Sequence, residues 1–130
     1  MQRTVINPWP WSVQWGFDQA TLVESPSKIV FCSGQTAIDA DGNPQHPGDM
    51  TAQLTMAYEN LAAVLGDAGM TLDDVVRITA FTTDMDAFLG AAAAVRANLG
   101  SDLRNAFTLI GVSRLALPDL LVELEAIAVA

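Results

Sequence analysis

Glu123 and Glu125 stand two residues apart in the run Val122-Glu-Leu-Glu-Ala-Ile-Ala128, and an extended chain sends both carboxylates to the same side. On that geometry Leu121, Glu123, Glu125, Ile127 and Val129 share one face, while Val122, Leu124, Ala126 and Ala128 form an opposite face with no polar atom. The apolar face is the seat for helices, which leaves the two acids towards solvent or a neighbouring subunit. They are then either solvated surface groups or members of a cleft. In a cleft, desolvation and a like-charged neighbour would raise one carboxyl's pKa and suit it to proton transfer.

Ser33-Gly34-Gln35 follows an apolar run and supplies a hydroxyl, a glycine and exposed amides, groups able to hold a carboxylate, although the same tripeptide also reads as a plain turn. His46, the single histidine, lies between Gln45 and Pro47 with no Ser/Asp or Cys partner at a catalytic spacing, and reads as a surface loop residue. Cys32, the single cysteine, has no cation beside it and reads as a buried, inert thiol. One Cys and one His give neither an internal disulfide nor the spacing of a zinc site, so no metal is expected. Among the cations, Arg77 is assigned to the Val75, Thr79 and Phe81 face of its strand, Arg96 to a helix end, and Arg104 and Arg114 to the flanks of the penultimate strand. Each reads first as a surface charge. Arg104 is the strongest candidate for gripping an anionic ligand, because this layout sets its strand beside that of Glu123.

The elements that must position these groups follow from pattern. Residues 7 to 17 carry all three Trp and two Pro, the composition of an irregular segment pinned by aromatic burial. Ala20–Glu24 and Lys28–Cys32 are β-prone and separated by Ser25-Pro26-Ser27, which predicts a hairpin. Turn formers from Asp39 to Asp49 lead into a helix over 49–68, where Met50, Leu54, Ala57, Leu61, Val64, Leu65 and Ala68 recur in steps of three and four before Gly69. Val75–Thr83 reads as strand, Asp86 as the cap of a second helix reaching about Leu99, and Phe107–Val112 and Leu120–Val129 as further strands. The order β-β-α-β-α-β-β predicts an α+β layer, with helices on one sheet face and the other face left for burial elsewhere.

Composition bounds the rest. The 130 residues fit one domain over 1–130, with 1–17 as its irregular N-terminal segment. The chain is 51% apolar, yet lacks an uncharged apolar stretch long enough for a membrane helix, and no secretory signal is recognisable after Met1. A soluble, cytoplasmic protein is expected. Fifteen acidic against six basic residues give a formal charge of −9, which repels phosphate backbones and argues against nucleic acid as a partner. So apolar a chain with so few charges predicts a homo-oligomer.

The motifs in order are more specific than any one alone: Cys32-Ser-Gly-Gln35, Gly48-Asp-Met-Thr-Ala-Gln53, Asn60-Leu61, Leu65, Ala68-Gly69, Leu72-Asp-Asp-Val-Val76, Thr79-Ala-Phe-Thr-Thr-Asp84, Phe88, Gly111-Val112 and Val122-Glu-Leu-Glu-Ala-Ile-Ala128. In this pattern the chain resembles, from about residue 17 onward, the Rid family of YjgF-like reactive intermediate deaminases, also described as endoribonuclease L-PSP. The resemblance implies a chorismate-mutase-like α+β fold and a homotrimer with a central sheet barrel, outer helices and ligand clefts between subunits. It also implies hydrolysis of reactive enamines and imines, such as 2-aminoacrylate, to a carbonyl compound and ammonia, without metal or organic cofactor.

Carried over by position, Ser33 and Gly34 match the family's cleft Ser-Gly, and Glu123 matches the Glu that positions the attacking water. Phe107 falls where the family's deaminases carry a carboxylate-gripping Arg, and Phe17 where they carry a Tyr near the N-terminus. Phe supplies no charge, so a standard 2-imino-acid deaminase is not expected, and the aromatic replacements predict an apolar cleft for a less acidic or larger ligand. Arg104, three residues before Phe107, points to the opposite face unless a bulge intervenes. The resulting expectation is an imine or enamine hydrolase with a non-standard substrate: Glu123 and Ser33 catalytic, Phe17, Gly34, Phe107 and Arg104 binding. The alternatives are a small-metabolite or partner-binding trimer without turnover, and a biosynthetic enzyme working through an iminium. Ribonuclease activity is disfavoured by the negative charge and the absence of a Lys/Arg cluster or His pair.

Overall fold

The computed structural model describes residues 1–100 and 103–130. Its elements run β1 (Gln2–Ile6), α1 (Trp11–Gln14), β2 (Ala20–Glu24), β3 (Ile29–Gln35), α2 (Met50–Asp67), a 3-10 turn (Leu72–Asp74), β4 (Val75–Thr82), α3 (Met85–Asn98), β5 (Ala106–Gly111) and β6 (Val122–Val129). Among the described residues no helix is long and apolar enough to cross a membrane.

β3, β6, β4 and β5 form one sheet in that order, antiparallel across β3/β6 and β6/β4, and parallel across β4/β5, which α3 connects. The alternation read from the last strand holds: Val122, Leu124, Ala126 and Ala128 are buried together with Ile78 and Ala80 of β4. Leu54, Ala57, Leu61 and Leu65 of α2 and Phe88, Ala91 and Val95 of α3 complete that core, so both long helices cover one sheet face. α2 starts at Asp49, whose carboxylate accepts from the Ala52 amide at 3.0 Å and satisfies one of the first-turn donors. On the other sheet face Phe31 is 76% exposed and Ile29 52% exposed.

Four local expectations are corrected. β2 and β3 do not form a hairpin: β2 pairs with β1, and β3 pairs with β6. Between them Ser25 takes a positive φ of 53°, and the amides of Ser27 and Lys28 donate to the carbonyl of Ala130, so the turn is captured by the end of the chain. The segment 1–17 contains a strand and a short helix; Arg-Thr-Val-Ile in β1 carried a β-branched signal that the aromatic cluster behind it obscured. α3 is capped by Asp84, which accepts from the Ala87 amide at 3.0 Å, while Asp86 lies in the first turn beside the dipole. A register shift between Val75 and Arg77 turns Val75 into the core, leaving Arg77 exposed on the face of Thr79 and Phe81.

Candidate active site

Ser33 and Gly34 occupy a bulge. Cys32 pairs with Ala126 and Gln35 with Leu124, so β3 has one residue more than β6 between the two pairs. The extra residue bends the edge strand beside Glu123. A Cβ built on Gly34 would fall on the Glu123 carboxylate, 2.6 Å from its Cδ and 2.9 Å from its Cγ, so only glycine leaves room for that side chain. On its other side Glu123 is paired across the strands with Phe81 of β4. Its half-buried carboxylate therefore sits between a bare backbone edge and an aromatic ring, with the Ser33 residue next in the chain to Gly34. Glu125, two residues on, is exposed beside Arg77 and Thr79.

Two side-chain amides of α2, the half-buried Asn60 and the buried Gln53, hold this edge in place, and neither has a role in the sequence analysis. Asn60 donates to the carbonyls of Thr36 and Ile38, at 2.8 and 3.0 Å, fixing the chain just beyond the bulge. Gln53, fully buried, donates to the carbonyls of His46 and Asp119 and accepts from the Leu121 amide at 2.8 Å, which anchors the entry to β6 two residues before Glu123. A buried polar residue on the apolar rhythm of a helix is the signal that could have marked Gln53. Cys32 is buried in the core, and burial pushes its thiol up. His46 lies exposed in the loop before α2, with a positive φ of 55°.

Phe17 and Phe107 are not beside Glu123 within one chain. Phe107 pairs with Ile78, whose side chain is in the core, and stacks on Phe88 of α3 at 6.4 Å between centroids with the rings inclined by 29°. Both phenylalanines line a cavity of about 270 Å³ at the β5 edge of the sheet, roofed by Trp11 and Trp15 and floored by Leu54 and Tyr58 of α2. Trp11 meets Phe17 edge to face at 5.8 Å. Arg96 closes the cavity on the α3 side: its Nη1 donates to the Gly16 carbonyl at 2.7 Å and its Nη2 reaches the Trp15 carbonyl at 3.5 Å. Gly16, at φ +86°, allows this approach, since a Cβ there would stand 2.7 Å from the guanidinium carbon.

Arg104 is elsewhere again. The expected adjacency to Glu123 fails because β4 lies between β5 and β6. Its Nε donates to Asp18 Oδ1 at 3.0 Å, and that carboxylate, 1% exposed, also accepts from Asn7 Nδ2 at 2.7 Å. With the Asp18 amide donating to the Asn105 carbonyl, this group stitches the N-terminal segment to the start of β5.

A four-stranded mixed sheet under two helices, with a Ser-Gly bulge against a terminal-strand Glu, defines the α+β class to which comparison leads. Residues 16–130 match the protein family described as Endoribonuclease L-PSP. The chain is 34% identical over 100 residues to a RutC family protein of Pyrococcus abyssi, covering 77% of each. It superposes on a Yersinia pestis protein of the conserved Rid family, YyfB, with a TM-score of 0.88 and 36% identity over 100% of both chains. On Escherichia coli TdcF, solved with bound serine, the TM-score is 0.69 at 27% identity, covering 88% of this chain and 87% of that one. This chain belongs to the Rid (YjgF/RutC, endoribonuclease L-PSP) family and has its fold.

Proposed function

We propose that the protein hydrolyses a reactive imine or enamine with a non-standard, apolar substrate, in clefts between the subunits of a homotrimer. The observation that carries the reading is the Glu123 carboxylate laid over Gly34 at the Ser33 bulge, an acid held at an open backbone edge. Water attacks the C=N carbon while Glu123 orients it and takes its proton; the tetrahedral carbinolamine then collapses to a carbonyl and ammonia. An enamine first tautomerises to the imine, so one water is consumed and one ammonia released in either case. Ser33 and the neighbouring amides hold the substrate.

The trimer brings the aromatic cavity into this chemistry. Closing three sheets, each ordered β3-β6-β4-β5, into one barrel sets the β5 edge of one protomer beside the β3 edge of the next. The cavity of Phe17 and Phe107 lies at the first edge and the Ser33-Gly34 bulge at the second. The exposed Phe31 and Ile29 on the uncovered face support such a closure, since an apolar face of this kind is otherwise left to water. A binding trimer without turnover is favoured instead only by Phe107 in place of a charged grip. Ammonia release from imines generated in situ, from 2-aminoacrylate and from bulkier aromatic precursors, tests the reading together with the oligomer mass. A lone subunit, or release no faster than in buffer for every substrate, counts against it.

A further inference from the structure

A second cavity, of about 320 Å³, lies between β1, β2, the 3-10 turn and the residues that enter β5, and it shares no lining residue with the aromatic one. Two arginines and two aspartates line it, so its formal charges balance within a chain of net charge −9. Asp18 and Asn105, 1% and 3% exposed, face it short of partners. Asp18 Oδ1 accepts from Arg104 and Asn7, whereas Asp18 Oδ2 and Asn105 Oδ1 accept no hydrogen bond among the described residues. Two buried acceptors left open at one cavity call for a donor. Arg3 has the reverse shortage. Its Nη1 and Nη2 donate to the carbonyls of Asp73 and Val75, at 2.7 and 3.1 Å, and it makes no ion pair among the described residues. Neutral acceptors thus pin the guanidinium in place while its charge and its remaining N–H groups are kept for an anion.

We propose that this cavity binds a free α-amino acid with an aliphatic side chain, its ammonium at Asp18 Oδ2 and Asn105 Oδ1 and its carboxylate on Arg3. The side chain then lies against Val5, Leu72 and Leu103, the apolar part of the wall. Each half of the zwitterion answers one of the two shortages, with a charge-assisted bond at both ends. An amine alone would add a cation beside Arg3 and Arg104 with nothing to offset it. A carboxylate alone would face Asp18 and leave both buried acceptors unpaired. The cavity reaches Val75 at the start of β4, whereas Glu123 pairs with Phe81 near its end, a separation of about 20 Å along the strand. Within one chain the amino acid is therefore held apart from the Glu123 carboxylate, and the site stands whether or not the hydrolysis proposed above does.

Calorimetric titration of the intact protein with leucine, with isoamylamine, which is leucine without its carboxylate, and with isocaproate, which is leucine without its ammonium, tests the site. Leucine is expected to saturate it, and each fragment to bind about tenfold more weakly or worse, because each leaves one end of the site unpaired. Arg3→Gln closes the gap between leucine and isoamylamine, and Asp18→Asn closes the gap between leucine and isocaproate. Leucine binding no better than either fragment, or an advantage over isoamylamine that survives in Arg3→Gln, overturns the proposal. So does binding of none of the three, the result if water alone satisfies Asp18 and Asn105. The Asp18 carboxylate also ties the N-terminal segment to the start of β5. Should Asp18→Asn fail to fold, the three ligands on the unmodified protein and on Arg3→Gln decide alone.

Discussion

The Glu123 carboxylate rests on the α-carbon of Gly34, so close that a methyl group there would sit 2.6 Å from Cδ. The bulge of β3 makes the gap, and the missing side chain of Gly34 lets the acid fill it. Gly34→Ala must therefore push the carboxylate out of its seat. The expected result is at least a tenfold fall in imine hydrolysis with a thermal midpoint close to that of the parent, measured by ammonia release and by melting. An unchanged rate would mean that the seat is irrelevant to the chemistry.

Tyr58 is the single tyrosine, so tyrosinate absorbance follows it without interference. The unfolded chain loses this proton near pH 10, whereas the folded protein keeps it to about 12. The folded state holds the extra proton between those values, so stability present below pH 10 is lost as pH rises towards 12. Across that interval the loss amounts to about 2–3 kcal/mol. Tyr58→Phe should flatten that decline in denaturant titrations at alkaline pH. A tyrosinate transition near pH 10 in the folded protein would contradict the burial.

Gln53 satisfies two carbonyls and one amide from the loops that deliver β6, with distances of 3.1, 2.7 and 2.8 Å. Gln53→Leu leaves all three half-buried backbone groups without this partner. A loss of about 2–4 kcal/mol in urea unfolding is expected, at one to a few kcal/mol per stranded group with partial relaxation. A change below about 0.5 kcal/mol, the usual size for an exposed site, would show that water replaces the side chain.

Arg104 holds the nearly buried Asp18, and the pair is partly open to solvent on the arginine side. Arg104→Gln should cost about 1–3 kcal/mol of stability, less than a fully buried pair, while leaving KM for any imine substrate within about twofold. A large rise in KM with stability intact would restore Arg104 to the ligand grip that its position in the sequence first gave it.

What could be read from the sequence tracks how local the cause was. The alternation of β6 and the rhythm of α2 are set by neighbours two to four residues away, and both hold except at Val64, which is exposed, and Val129, which is buried. The β2/β3 hairpin failed because strand pairing is decided at long range: β1 and β6 displace a neighbour across a Ser-Pro-Ser link that could turn without pairing. The Ser33, Gly34 and Glu123 cluster was legible through motif order, yet its geometry needed the bulge, which leaves no mark in composition. Phe17 and Phe107 line the helix side of the sheet at the β5 edge while Glu123 stands on its other side, a separation within one chain that bears on a cleft between subunits only through the neighbouring copy. Arg96 was read as a helix-end cation; its turn towards Gly16 depends on a glycine 80 residues away.

The central claim is a hydrolytic carboxylate at the Gly34 edge, and Glu123→Gln tests it with almost no change of shape. The measurement is the initial rate of ammonia release from imine generated in situ by an amino-acid oxidase, for the parent and variant proteins at matched oligomer mass. The predicted result is a fall of about a hundredfold or more, the usual contribution of a positioned general base. A variant that releases ammonia as fast as the parent would contradict it.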